Sequence, residues 1–181
     1  MIQKSLVLVL LTIGFASIAI AQTAPLKTYY SSEQKVGFRY PDSWRLSKEN
    51  QSMDDEPGFT ILTGVEPAAT ALRGQLRQAS VKLAIGGTDE AECKAFNVSN
   101  INKDQETPLT KKVGKLTFYE ISASDGAAGS VGLTNYYRTF HNGRCYELSF
   151  MIFRRNSRTD DRYVKAMDRQ FNAILGSVYF K

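Results

Sequence analysis

The sequence predicts an α+β fold, with long antiparallel strands packed against a closing helix. Three observations carry that reading. Asn142-Gly143 stands between two long alternating runs, and Asn-Gly suits a tight hairpin turn because both central residues adopt positive φ. The flanking runs have a period of two. Val131, Leu133, Asn135, Tyr137 and Thr139 share one face of the first, and Tyr146, Leu148, Phe150 and Ile152 share one face of the second. Near the C-terminus the period lengthens, and Tyr163, Met167, Phe171, Ile174 and Leu175 form one apolar stripe at helical spacing.

The chain has 181 residues, with 43% hydrophobic and 23% charged. That composition is globular and excludes a disordered or collagen-like chain. Its start reads as an address. Lys4 is followed by an apolar run over residues 6–20, broken only by Thr12, Gly14 and Ser17, and then by Ala19-Ile20-Ala21. This is the layout of a secretory signal, with small residues where a signal peptidase cuts. The run is about 15 residues, short of the ~20 a membrane-spanning helix needs. Residues 1–21 are therefore expected to be a signal peptide and residues 22–181 a single domain. No Cys follows the cut, so a lipid-modified start is not expected. The mature chain is expected to be secreted or periplasmic and not membrane-spanning.

An oxidising compartment changes how Cys93 and Cys145 are read. An even count with no third thiol suggests one disulfide. Two buried free thiols are the alternative. A catalytic thiol would need an activating base, and the chain has a single His.

The elements follow in order. Residues 22–27 read as a polar tail. Residues 35–40 alternate, with Val36, Phe38 and Tyr40 on one face, and Pro41-Asp42-Ser43 is turn chemistry. Trp44 then opens a second short strand as a core plug at the base of that hairpin. Residues 49–58 form an acidic surface loop, in which Asp54-Asp55-Glu56 lack an ordered ligand spacing. Residues 59–62 read as a strand, 67–76 as a short helix weakened by Gly74, and 79–85 as a strand ended by Gly86-Gly87. Thr88 is expected to cap a short helix with Asp89 and Glu90 in its first turn and Cys93 and Phe96 on its buried side. Strands are expected over 107–112, 115–123, 130–140 and 145–153, with a Gly-rich loop at 124–129. The helix spans 162–176, and 177–180 is a last extended segment.

Val36-Gly-Phe-Arg-Tyr-Pro-Asp-Ser-Trp44 resembles the opening motif of the PsbP-like superfamily, which includes the Mog-one type proteins. Phe171-Asn-Ala-Ile-Leu-Gly-Ser-Val-Tyr-Phe180 is similar to that group's closing helix and tail. The resemblance implies an α/β/α sandwich with a central, mainly antiparallel β-sheet and helices on both faces. It covers most of residues 22–181, and its motifs are structural, so it adds little about function.

No catalytic, cofactor-binding or metal-binding residues are assigned. His141 sits at the rim of the Asn-Gly hairpin, where exposed turn chemistry is expected. One His and two distant Cys do not make a zinc set. Gly126, Gly129 and Gly132 lie between strands, outside the strand-to-helix context of a phosphate loop. The charge feature is basic: Arg154, Arg155, Arg158 and Arg162, with Lys111, Lys112 and Lys115 as a second group. Read functionally, it is a docking patch for an envelope or secreted protein partner, or a weak contact for an anionic lipid or polymer. Read blandly, it is a solvated face with local ion pairs. Nucleic acid is not expected as a partner of a secreted chain. The resulting expectation is a non-catalytic extracytoplasmic binding or assembly module that docks to an envelope protein partner. The alternatives are a small-ligand carrier with a pocket between sheet and helices, and then a hydrolase.

Overall fold

The computed structural model describes residues 25–47, 58–69, 72, 74, 76–96, 107–127, 129–155 and 162–181. The expected signal peptide, residues 49–57 of the expected acidic loop, and Arg158 lie outside the described residues.

The strands are β1 (Leu26–Ser31), β2 (Val36–Pro41), β3 (Trp44–Ser47), β4 (Thr60–Pro67), β5 (Leu76–Ile85), β6 (Leu109–Val113), β7 (Leu116–Ala127), β8 (Ser130–His141), β9 (Arg144–Arg155) and β10 (Tyr179–Phe180). The helices are α1 (Glu90–Lys94) and α2 (Arg162–Leu175). They build a seven-stranded sheet in the order β3-β4-β5-β9-β8-β7-β6 and a three-stranded sheet in the order β1-β2-β10. All the pairs are antiparallel.

The Asn-Gly hairpin sets the centre. Asn142 and Gly143 both have positive φ, and β8 and β9 stay in register from His141↔Arg144 to Ser130↔Arg155. Strict alternation then assigns each β9 side chain to one face. Phe150 stacks on Phe171 of α2 at 5.1 Å between ring centroids. Cys145, an odd number of residues away, faces the other side, where it is bonded to Cys93 of α1. The two helices thus cover opposite faces of the central sheet, as the α/β/α expectation holds. The three-stranded sheet lies beside α2 on the first face, where Phe180 packs against Tyr146 and His141. The core between these layers contains Val36, Phe38, Trp44, Val81, Leu83, Leu148, Phe171 and Ile174.

Several local expectations are corrected. Residues 22–27 are not all tail, because β1 begins at Leu26 and pairs along the whole of β2. The turn after Pro41 is present, yet β2 and β3 do not pair with each other. Both sides of β2 are taken, by β1 and β10, and β3 crosses into the other sheet. Trp44 still plugs the core, with its ring edge on Phe171 at 5.9 Å and its Nε1 donating to Gln170 Oε1 at 3.0 Å. The helix expected over 67–76 is absent at its ends, since Pro67 closes β4 and Leu76 opens β5. Gly74 has φ +65°, a left-handed conformation that stops a helix. Asp89, not Thr88, caps α1: its side chain accepts from the Glu92 N–H at 2.9 Å. The Gly-rich loop is shorter than expected, because β7 runs on to Ala127 and β8 starts at Ser130.

Candidate functional site

On the α2 face, the helix packs mainly against β2, β5 and β9. Over β7 and β8 a cleft of about 360 Å³ remains. Val164, Asp168 and Phe171 line it from the helix at i, i+4 and i+7, which is one helical face. Leu133, Phe150 and Ile152 line it from the sheet, together with Ser122, Ala123 and Asn135. The Phe171–Phe150 stack closes one end.

Three polar side chains meet this cleft. Ser122 Oγ donates to Asn135 Oδ1 at 2.7 Å, a cross-strand pair set by the β7–β8 register. Asp168 stands on the rim. Desolvation pushes its carboxyl above the usual aspartate range, and the neighbouring Arg169 charge works the other way. Beside the rim, the buried Tyr137 hydroxyl donates to Glu120 Oε1 at 2.8 Å. Burial raises the Tyr137 phenol most; the Glu120 hydrogen bond and charge, and then the Asp168 charge, push it further.

The basic residues read from the sequence fall into separate places. Lys111 faces α2: its Nζ donates to Asn172 Oδ1 at 2.9 Å and lies 5.2 Å from the Tyr137 ring centroid. It ties β6 to the helix, while Lys112 and Lys115 are exposed. Arg155 and Arg162 are exposed and Arg154 is half-buried. Arg162 Nη2 donates to the Tyr163 hydroxyl at 2.9 Å. Lys111 pairs with Phe118, which is one residue from the Tyr119↔Arg138 pair, whereas Arg154 pairs with Val131. That offset is about eight residues along β8, or roughly 27 Å at the rise of a strand. The two basic groups occupy opposite ends of the sheet.

His141 is half-buried rather than exposed, stacked on Phe180 at 4.1 Å between ring centroids. The Cys93–Cys145 disulfide spans a Cα–Cα distance of 5.5 Å, inside the usual range. Among the described residues, no group of three or more His, Cys, Asp and Glu is placed to hold a metal. No helix among them is long and apolar enough to cross a membrane.

Sequence reading missed two features. One is the cleft. Its only signal was Asp168, a carboxylate on the edge of the α2 apolar stripe. The other is a buried ion pair between Arg138 and Glu147 on the α1 face. Here a signal existed: Arg138 stands four residues before Asn142 and Glu147 four after Gly143, so the hairpin must place them opposite.

No protein-family model and no curated protein matches the sequence. Solved structures do. A protein from Bacteroides thetaiotaomicron, determined at 1.50 Å, matches 86% of this chain with 11% identity and a TM-score of 0.53. This chain spans only 48% of that one. Cyanobacterial PsbP from Synechocystis matches 92% of this chain and 99% of its own, with 11% identity and a TM-score of 0.46. LpqN, described as involved in cell envelope biogenesis of Mycobacterium tuberculosis, matches 87% of this chain and 91% of its own, with 12% identity and a TM-score of 0.45. The likeness to the first of these, at 11% identity, concerns the fold alone.

Proposed function

We propose that this protein is a non-catalytic extracytoplasmic binding module whose ligand site is the cleft between the central sheet and α2. The cleft itself carries the reading. It joins an apolar wall from three strands and a helix to a few polar groups, and its volume lies at the low end of the ~300–1,000 Å³ of small-molecule sites. The Cys93–Cys145 bond supports an extracytoplasmic setting, because disulfides persist in oxidising compartments. His141 packs on an aromatic ring, an arrangement that suits a structural role better than that of a general base.

Native mass spectrometry of the protein as purified gently from the cell envelope tests this. The wild type is expected to carry a small-molecule adduct, and Val164→Trp, which fills the cleft, is expected to lose it. A bare wild-type mass, or an adduct kept by the filled variant, overturns the reading.

Docking to an envelope protein is the second reading, favoured by the outer strand β6. Leu109 is 58% exposed there, and edge strands offer backbone groups to another chain. Lys112→Glu with Lys115→Glu is expected to weaken capture of such a partner in envelope crosslinking. Capture that is unchanged in this variant counts against β6 as the docking edge.

A further inference from the structure

We infer that the cleft selects an amphiphile carrying a protonated amine, with Asp168 as its counter-ion; this rests on the cleft being the ligand site. Leu133, Phe150, Ile152, Val164 and Phe171 supply a wall that takes a hydrocarbon body. The polar groups then choose the head. Ser122 spends its hydrogen on Asn135 Oδ1, so its oxygen offers only lone pairs to a ligand. Asp168 is an acceptor in its ionised form. A positively charged donor head satisfies Ser122 and Asp168, and the Asn135 amide N–H groups add a donor that suits an uncharged acceptor atom. A carboxylate head can meet Asn135 but faces the like charge of Asp168.

The neighbouring cations do not change that balance. Lys111 reaches from β6 to α2, where Asn172 Oδ1 and the Tyr137 ring engage its ammonium one helical turn beyond Asp168. Arg169 follows Asp168 in the helix and Lys165 stands one turn before it; all three side chains are exposed, so water screens the two cations and the carboxylate alike. Glu120, held by Tyr137 beside the rim, adds negative potential. Desolvation already works against the Asp168 charge, and a bound cation relieves that cost. The volume suits a short chain.

The test uses octylamine, 1-octanol and octanoate as probes on the disulfide-intact protein near neutral pH. Binding is read by calorimetry and by the fluorescence of Trp44, whose ring touches the Phe171 wall. Octylamine is expected to bind about tenfold more tightly than octanol, and octanoate more weakly than either. Asp168→Asn is expected to bring the amine-to-alcohol ratio close to one. Val164→Trp, with Leu133→Phe as a second filled variant, is expected to bind none of the three. Equal wild-type affinities for octylamine and octanol, or a ratio that Asp168→Asn leaves in place, overturn the charge selection while the cleft reading stands. Failure of all three probes to bind the wild type overturns both.

Discussion

Arg138 Nε donates to Glu147 Oε2 at 2.8 Å, and both side chains are buried in the α1 face of the sheet. The guanidinium lies between the rings of Phe59 and Phe96, 4.5 and 4.1 Å from their centroids. Its Nη1 also donates to Ala95 O, the carbonyl that follows α1. One cation therefore links β8, β9 and the end of α1. Desolvation opposes both charges, raising the Glu147 carboxyl and lowering the Arg138 guanidinium, and each partner offsets the cost for the other.

Removing one partner leaves the other charge buried and uncompensated. Arg138→Met and Glu147→Leu, each alone, are expected to destabilise the protein by about 3–5 kcal/mol, and the two together by much less than the sum. Urea unfolding of both single variants and the double variant measures this. Simple additivity of the two single effects would show that the pair is not coupled.

The Arg138→Met variant should also acquire a pH dependence. Burial holds the Glu147 carboxyl above its usual range, and Arg138 is the chief influence pulling it down. Without Arg138 the folded state binds a proton that the unfolded state releases. Stability then falls as pH rises from the ordinary glutamate range upward. Unfolding midpoints at about pH 4 and pH 7 are expected to differ more for this variant than for the wild type. Parallel pH profiles would reject the account.

The disulfide closes the same region. Cys93 and Cys145 are 52 residues apart in sequence, so their bond restricts the unfolded chain by up to about 4 kcal/mol on the loop-entropy model. Non-reducing peptide mapping is expected to join the Cys93 and Cys145 peptides. Cys93→Ser with Cys145→Ser is expected to lower the unfolding free energy by a few kcal/mol and to speed amide exchange in α1. An exchange pattern unchanged in α1 would mean that the Arg138 contact alone holds the helix.

Gly37 lies at the middle of the small sheet, between β1 and β10. A Cβ built there would sit 2.7 Å from Tyr179 Cζ and 2.7 Å from the Tyr29 backbone oxygen. The oxygen cannot move without breaking into the β1–β2 ladder. Gly37→Ala is expected to cost about 1–3 kcal/mol, as overpacking does. Thermal unfolding checks this, and an unchanged midpoint would show that the three strands can part at this seam.

Much of the fold was legible because its information is local. Asn142-Gly143 and the alternation beside it set the β8–β9 register, which in turn places Arg138 opposite Glu147 and Cys145 on the face away from Phe150. The α2 stripe gave the helix its buried side: Met167, Phe171, Ile174 and Leu175 are all buried. What stayed hidden depends on distant partners. The Pro41-Asp42-Ser43 turn says that the chain reverses, not that β2 and β3 enter different sheets. Leu26 and Lys27 look like tail because β1 is an edge strand exposed along its first half. The basic residues read as one feature because sequence spacing does not report which end of a sheet each occupies. The residues that line the cleft were hidden for a stronger reason. Ser122, Asn135 and Asp168 come from three elements, and the space between them exists only once α2 has settled on β2, β5 and β9.

The rim carboxylate gives the last prediction. Desolvation raises the Asp168 carboxyl, so the folded protein holds that proton to a higher pH than the unfolded chain does. Between the two values the native state binds more protons, and stability falls as pH rises through that interval. The loss is complete by neutral pH and absent in strong acid. Because Asp168 is on the rim, water screens it and the effect is small. Asp168→Asn carries no such charge and removes this part of the slope. The variant is expected to match the wild type at about pH 3 and to exceed it at about pH 7. Urea midpoints at the two pH values decide the point. A wild type more stable than the variant at neutral pH would mean that the Asp168 charge is already compensated in the native state.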